Sequence, residues 1–502
     1  MMRSQIRVRH IKPICLSNRP LIYLHSLRAV HLSSRHHAAA GLPRTPSPVQ
    51  TASDMLSSRR PSPPNEISQA SPPLARLPIS SVIRSYLITR MSSSPPLLTL
   101  CFSILRLMLS SKSLLFSLDR NPILAKLLKS TFYAQFCIGE TKEEVVRNTS
   151  VAERAKLGYD GIILEYSLEV LEGEGEEGKE VTEEQTRREV DHWLKGMMQS
   201  VEMAREGDFV GLKWSGIGRH ALSLLKSNAP PTPLISTAIE TVCFAAASKN
   251  ISLLPGAEEE STNPGIEAWN RLLQRQFNTP AQGRAVLYTT YQCYLQAAPE
   301  RIAAHLKDAK EHGYIAGVKL VRGAYLDTEK ARGVPVWESW EGTNACYDGL
   351  AEAVLKREWT GFLAPYAPAS TDAEKTFPEV NTVLATHNAA SVRKVLKLRQ
   401  QQALEQSLSP SSPPLPRLSY AQLQGMADEI SLDLVASGQE KGVLDRPRVY
   451  KCMTWGTTTE CLNYLLRRAN ENKDAMGRTV ETRKAMGREL MRRMKAVMGL
   501  GA

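Results

Sequence analysis

Val449-Tyr450-Lys451-Cys452-Met453-Thr454-Trp455-Gly456 reads as a β-strand closed by a glycine turn, and the apolar-patterned run from Thr457 to Asn472 reads as the helix that follows it. That helix ends in Arg467-Arg468-Ala469-Asn470-Glu471-Asn472, the pattern R-R-x-x-E-N. On a helix Arg467 and Glu471 are four apart and can pair, while Arg468 lies about 100° further round. Two adjacent guanidiniums, one steadied by a carboxylate, make a clamp for a small carboxylate ligand. A solvated basic helix end favoured by its own dipole is the plainer account of the same residues.

Moving upstream, the strand-then-helix unit recurs. Candidate strands are Gly161–Tyr166, Asp208–Ser215, Asn250–Ala257, Ala285–Tyr294, Ile315–Tyr325, Thr382–Asn388, Ser419–Met426 and Val449–Gly456. Helix-length patterns such as Pro299–His312 and Ser391–Glu405 lie between them. Alternation of this kind implies parallel strands with right-handed crossovers. Eight units over 157–480 predict an α/β fold, a (β/α)8 TIM-like barrel, with an open doubly wound sheet as the competing layout. Chemistry in such a barrel belongs at the C-terminal ends of the strands. Several strand ends here carry polar groups in apolar runs: Lys213, then Lys319, Arg322 and Tyr325, then His387-Asn388, then Gln422 and Gln424, with Tyr450 on the last strand. A buried lysine needs a partner or a ligand. Leu171–Gln185, Arg332–Phe377 and Ser407–Leu418 read as surface insertions.

The formal charge of +12 suggests nucleic acid, but its distribution argues against that partner. Residues 1–53 carry eight Lys/Arg and no acid; without them the formal charge falls to +4, and beyond Pro95 to +1. The body is nearly neutral. Residues 1–53, rich in Arg and Ser, have the composition of a mitochondrial transit peptide. Residues 54–96 read as a disordered Pro/Ser-rich linker, 97–156 as a helical lead-in, and 481–502 as a C-terminal helical tail. No run reaches the roughly 18 apolar residues needed to span a bilayer. The nearest, Leu97 to Leu118, is broken by Arg106 and Lys112 and could form an amphipathic helix. The eight cysteines are scattered without a C-x-x-C pair, and the histidines form no ligand pattern, so no metal site is expected.

Gly216-Ile217-Gly218-Arg219-His220-Ala221 outlines a dinucleotide fingerprint. The strand before it is polar at Lys213 and Ser215, and the next acidic strand end, Glu258, is far beyond the usual spacing of about 20 residues. A simple turn is the better reading.

Gly317-Val318-Lys319-Leu320-Val321-Arg322-Gly323-Ala324-Tyr325-Leu326-Asp327 resembles a signature of the proline dehydrogenase (proline oxidase) family. Leu384-Ala385-Thr386-His387-Asn388 and the R-R-x-x-E-N run resemble two more of its motifs. Gln422 to Asp428 is similar to its seventh-strand segment, and Thr131 to Glu140 to the lead-in of its fungal mitochondrial members. The resemblance covers about 120–480. It implies an FAD-bearing (β/α)8 barrel in the mitochondrial matrix, peripherally associated with the inner membrane. Such an enzyme oxidises L-proline to Δ1-pyrroline-5-carboxylate and passes electrons to a quinone. Carried over motif by motif, Arg467 and Arg468 fall where the family clamps the proline carboxylate, Lys213 completes the clamp, and Glu471 orients the arginines. Tyr325 and Tyr450 match aromatic walls of the substrate ring, and Leu320 and Ala324 its apolar contacts. Lys319 falls near the flavin N5 edge; Arg322, Thr289, Gln292, His387 and Asn388 lie in FAD-contacting segments. A cation-rich pocket would favour the neutral amine of proline and stabilise a reduced anionic flavin.

The chain also departs from the family. Gly256-Ala257-Glu258 stands where Asp-Ala-Glu is common, and Thr289 where an amide is usual. Glu165 and Glu169 both lie near the first strand exit, and the sequence does not say which faces the site. Two alternatives accompany proline oxidation: the same scaffold acting on hydroxyproline or another cyclic amino acid, and a non-catalytic barrel scaffold.

Overall fold

The computed structural model describes residues 72–110, 121–168, 181–368, 376–409, 411, 413–471 and 476–499. A short strand β1 (Cys137–Gly139) precedes eight barrel strands: β2 (Gly161–Tyr166), β3 (Phe209–Leu212), β4 (Ser252–Pro255), β5 (Thr289–Gln292), β6 (Ala316–Val321), β7 (Val380–Ala385), β8 (Leu418–Leu423) and β9 (Val449–Trp455). The eight run parallel in the order β4-β3-β2-β9-β8-β7-β6-β5. The ends meet through a parallel bridge between Leu253 and Leu287, in which Tyr288 N–H donates to Leu253 O at 3.1 Å. The sheet therefore closes as a barrel, and the open doubly wound layout is set aside. The fourth expected strand is shorter than its sequence pattern, because residues 285–288 make this closure.

Side chains alternate across each strand. Ile163, Phe209, Leu254, Tyr288, Val383, Ala421 and Tyr450 fill the barrel interior. The intervening residues, such as Val210 and Leu212, or Val318 and Leu320, pack outward against the helical ring. Both faces being buried explains why the strands read as near-continuous apolar runs.

The N-terminal ends of β2 and β3 are fastened by Asp208. Its carboxylate accepts two hydrogen bonds from Arg154, at 2.6 and 2.8 Å, and others from the backbone N–H groups of Ile162 and Arg205. The Asp208 side chain is only 1% exposed.

Two expected boundaries need correction. Part of the expected linker 54–96 is helical: Ile79–Ser92 forms an α-helix packed on the C-terminal helix Met476–Val497. Val82 and Met486 are buried in the same core, and Arg493 donates to the carbonyls of Leu74 and Leu77. The reason is local: Pro78 and Pro95, read as linker punctuation, stand at helix N-termini, where proline costs no hydrogen bond. The C-terminal helix likewise begins at Met476, before the expected boundary at 481. The expected transit peptide and the linker up to residue 71 lie outside the described residues.

Asp208→Ala is expected to destabilise the fold by about 3 kcal/mol, because Arg154 loses its buried partner. The urea midpoint of unfolding should fall accordingly; an unchanged midpoint would show that the pair adds nothing.

Candidate active site

Lys213 lies just beyond β3, with its side chain 4% exposed. Its Nζ stands 3.4 Å from Glu165 Oε1 on β2 and 5.6 Å from the ring centroid of Tyr464. The other oxygen of Glu165 accepts from the Tyr464 hydroxyl and the Cys452 thiol, both at 3.4 Å. One carboxylate thus links three barrel strands and the helix Thr458–Glu471. Burial, followed by the Glu165 carboxylate, raises the Cys452 thiol well above its ordinary range and keeps it a donor. Lys213 and Lys319 both act on that thiol electrostatically, so the two cations converge on one end of the barrel. Lys319, paired in register with Thr290 and Val383, points inward and donates to Pro255 O at 2.7 Å.

Gly256, the departure from the family pattern, adjoins this cluster. A Cβ there would lie 3.1 Å from Lys213 Nζ and 3.2 Å from its Cδ. The missing side chain makes room for the lysine stem, and Glu165 supplies the carboxylate from β2 instead. Glu169 lies outside the described residues. Glu258 is turned away, accepting from the backbone N–H groups of Trp214 and Ser215.

The exit of β6 is pinned from two sides. Gly323, at φ +137°, sits so close to the Tyr294 ring that any Cβ would overlap it. Gln292 accepts from Ala324 N–H at 3.1 Å and donates to Glu258 O at 2.7 Å, tying the ends of β4 and β6 across β5. Ala324 and Tyr325 are half-buried in this exit, and Tyr325 stands at the N-cap position of the helix Leu326–Ala331. Just beyond β7, His387 Nε2 accepts from Leu423 N–H, which identifies the other ring nitrogen as the protonated one at neutral charge. Asn388 caps its helix by accepting from Ala390 and Ser391 N–H groups.

Several expected site residues stand elsewhere. Tyr450 is at the N-terminal end of β9, opposite the proposed mouth. Its ring packs edge-on to Phe209 at 4.8 Å and fills space left by Gly161. Leu320 is fully buried in the sheet–helix core, and the Thr289 hydroxyl accepts from Gln274 on an outer helix. Alternation along β5 and β6 turns both away from the interior. Arg322 also points outward, stacking on Tyr347 and donating to Asn344, Thr386 and Ser391. The side chains of Arg467, Arg468 and Glu471 lie outside the described residues, although the helix that carries them is described.

Tyr464 was missed by the sequence analysis, yet a signal existed. It precedes Arg467 and Arg468 by three and four residues, so all three share one helix face. A second missed residue is Glu140. It accepts from Thr458 N–H at 2.7 Å and from the Thr458 hydroxyl, so it caps this same helix. Lys129 holds it at 2.6 Å. Tyr133 adds a 3.0 Å bond to Gly456 O. The lead-in therefore aims the helix that carries the arginine pair.

The dinucleotide-like turn resolves as a turn. Glu189 accepts from Arg219 N–H at 2.8 Å and occupies the helix N-terminus where a phosphate would bind.

Residues 150–481 match the family described as proline dehydrogenase. The chain is 30% identical over 263 residues to "Proline dehydrogenase 1, mitochondrial" of Homo sapiens, which covers 51% of this chain and 38% of that protein. It is 26% identical over 468 residues to "Proline dehydrogenase 2, mitochondrial" of Arabidopsis thaliana, covering 84% and 89%. It is also 26% identical over 457 residues to hydroxyproline dehydrogenase of Bos taurus, covering 83% and 91%. Among solved structures, proline utilization A from Bdellovibrio bacteriovorus superposes with a TM-score of 0.55 at 15% identity, over 79% of this chain and 42% of that one. That likeness speaks for the fold.

Burial works against it, but hydrogen bonds from Lys129 and Thr458 hold the Glu140 carboxyl below its ordinary value. Its stabilising effect is therefore present above the ordinary carboxylate range and lost as pH falls through the lowered value. Glu140→Gln is expected to cost about 1 kcal/mol at neutral pH. Thermal unfolding of variant and wild type should converge in acid; a gap that persists there would remove the charge from the explanation.

Proposed function

Because the chain belongs to the proline dehydrogenase family, we propose that it oxidises L-proline to Δ1-pyrroline-5-carboxylate. FAD is its cofactor, a quinone its electron acceptor, and the matrix side of the mitochondrial inner membrane its place of work. The observation that carries this is the buried Lys213–Glu165–Tyr464 cluster at the C-terminal end of the barrel. It lies beside the helix whose next residues include Arg467 and Arg468.

In this reaction the ring carbon beside nitrogen gives up hydride and the nitrogen gives up its proton, leaving a C=N bond. The bound flavin supplies the two-electron acceptor. Lys213 and the arginine pair grip the carboxylate, which fixes the ring in one geometry. Glu165 keeps Lys213 and Tyr464 in place. The positive field of Lys213 and Lys319 disfavours the ammonium form of the substrate.

The residues present suit a flat ring. Inward positions deep in the barrel are buried, whereas Lys319, Val321, Ala385, His387 and Leu423 on β6 to β8 are half-buried or exposed. They would line the flavin, with Lys319 as its cation. Thr289, Arg322 and Asn388 would serve only as support behind them.

Hydroxyproline is the second substrate to test. The similarity to bovine hydroxyproline dehydrogenase spans 91% of that protein, and the inward side chain at Cys452 is small.

An anaerobic titration of the purified protein with L-proline is expected to bleach a yellow flavin spectrum. A colourless protein that binds no FAD would instead indicate a non-catalytic scaffold, and bleaching by hydroxyproline alone would transfer the activity. Glu165→Gln should raise the KM for proline roughly tenfold, about 1.4 kcal/mol, while flavin content stays constant. Steady-state kinetics with a soluble acceptor measure this; an unaltered KM would deny Glu165 its positioning role.

A further inference from the structure

The helix Pro95–Ser110 is apolar on two sides. Its inner stripe, Phe102, Leu105 and Met108, is buried against Leu128 and against Leu462 and Leu466 of the helix Thr458–Glu471. Its outer stripe is Leu97, Leu100, Ile104 and Leu107, exposed by 48, 56, 46 and 53%. At 100° per residue those four fall within an arc of roughly 80°. The helix Pro122–Leu128, whose Leu128 joins the inner cluster, adds Ile123 and Leu127, exposed by 81 and 58%. Single exposed leucines are ordinary on a protein surface, but an aligned stripe is not.

Charge indicates what covers it. From Pro72 to Tyr133 the sequence has eight Lys/Arg and one acid, Asp119. Arg90, Arg106 and Lys126 are exposed on the helices that form this region. Exposed apolar side chains on helices that also carry exposed cations suit the headgroup boundary of an anionic bilayer, which offers acyl chains below and phosphates above. No single helix among the described residues is long and apolar enough to cross a membrane. The helix Ile79–Ser92 and the one after it are bent by 106°, as suits elements lying along an interface.

We propose that Leu97, Leu100, Ile104 and Leu107 form a docking face for an anionic phospholipid bilayer, with the helix lying in the interface plane. This deepens the membrane association proposed above and is independent of the chemistry in the barrel. The docked helix would stand one layer from the helix that bears Tyr464, so the bilayer and the substrate cluster would share a wall.

The test is flotation of the full flavin-loaded chain with phosphatidylcholine vesicles, with and without phosphatidylglycerol. Wild type should float with the anionic vesicles. The Leu100→Glu/Ile104→Glu/Leu107→Glu variant should bind roughly tenfold less, with its oxidation of proline by a soluble acceptor unchanged. Equal flotation of the two would overturn the proposal and assign binding to another segment. If the triple variant does not fold, Arg90→Glu/Lys126→Glu provides the second test. It should lose the preference for anionic over neutral vesicles, and an unchanged preference counts against the docking face. A lipid-free wild-type dimer that the triple variant splits, with no vesicle binding, would give the face to a second copy of this chain. Vesicle binding by a protein that proline does not bleach would leave this proposal standing and sink the catalytic one.

Discussion

A single buried carboxylate organises the functional end of this barrel. Glu165 faces Lys213 from the neighbouring strand and accepts from Tyr464 and Cys452. Without it, buried Lys213 would lose the carboxylate 3.4 Å away, a costly change for an enclosed cation. With it, strands β2, β3 and β9 and the last barrel helix are held to a common point. The glycine at 256 belongs to the same arrangement, because the lysine stem uses the volume a side chain would fill.

The lead-in extends this control beyond the barrel. Lys129 secures Glu140, Glu140 caps the helix at Thr458, and Tyr133 holds the turn before it. Each contact is modest, since capping and surface pairing are worth roughly 1 kcal/mol or less. Together they set the axis of the helix on which the arginine pair is mounted. Position at the mouth is therefore decided partly by residues that never approach it.

Much of this was legible in the sequence. All eight barrel strands lie where apolar runs between turn residues place them, and Lys213 and Lys319 converge as their strand ends imply. The differences concern which way a residue faces and how far along its strand it stands. Residue type was read without facing, and on a strand facing alternates with every residue. Tyr450 is aromatic and on the right strand, but it sits at the N-terminal end, two positions before the inward Cys452. Leu320 and Thr289 are one position out of phase with the interior. Tyr464 stands one helical turn before the arginine pair and merges in the sequence with the apolar pattern of that helix. The N-terminal boundary failed for another reason. Proline marks helix starts as readily as it marks linkers, and only the packing of Val82 beside Met486 distinguishes the two.

Asp208 and Lys213 stand at opposite ends of one strand, five residues and roughly 16 Å apart. The first fastens the scaffold and the second serves the ligand. Thermodynamic reserve and chemical selectivity are thus housed at separate poles of the molecule. Lineages of this protein could drift in what they accept at one pole while spending none of the folding margin held at the other.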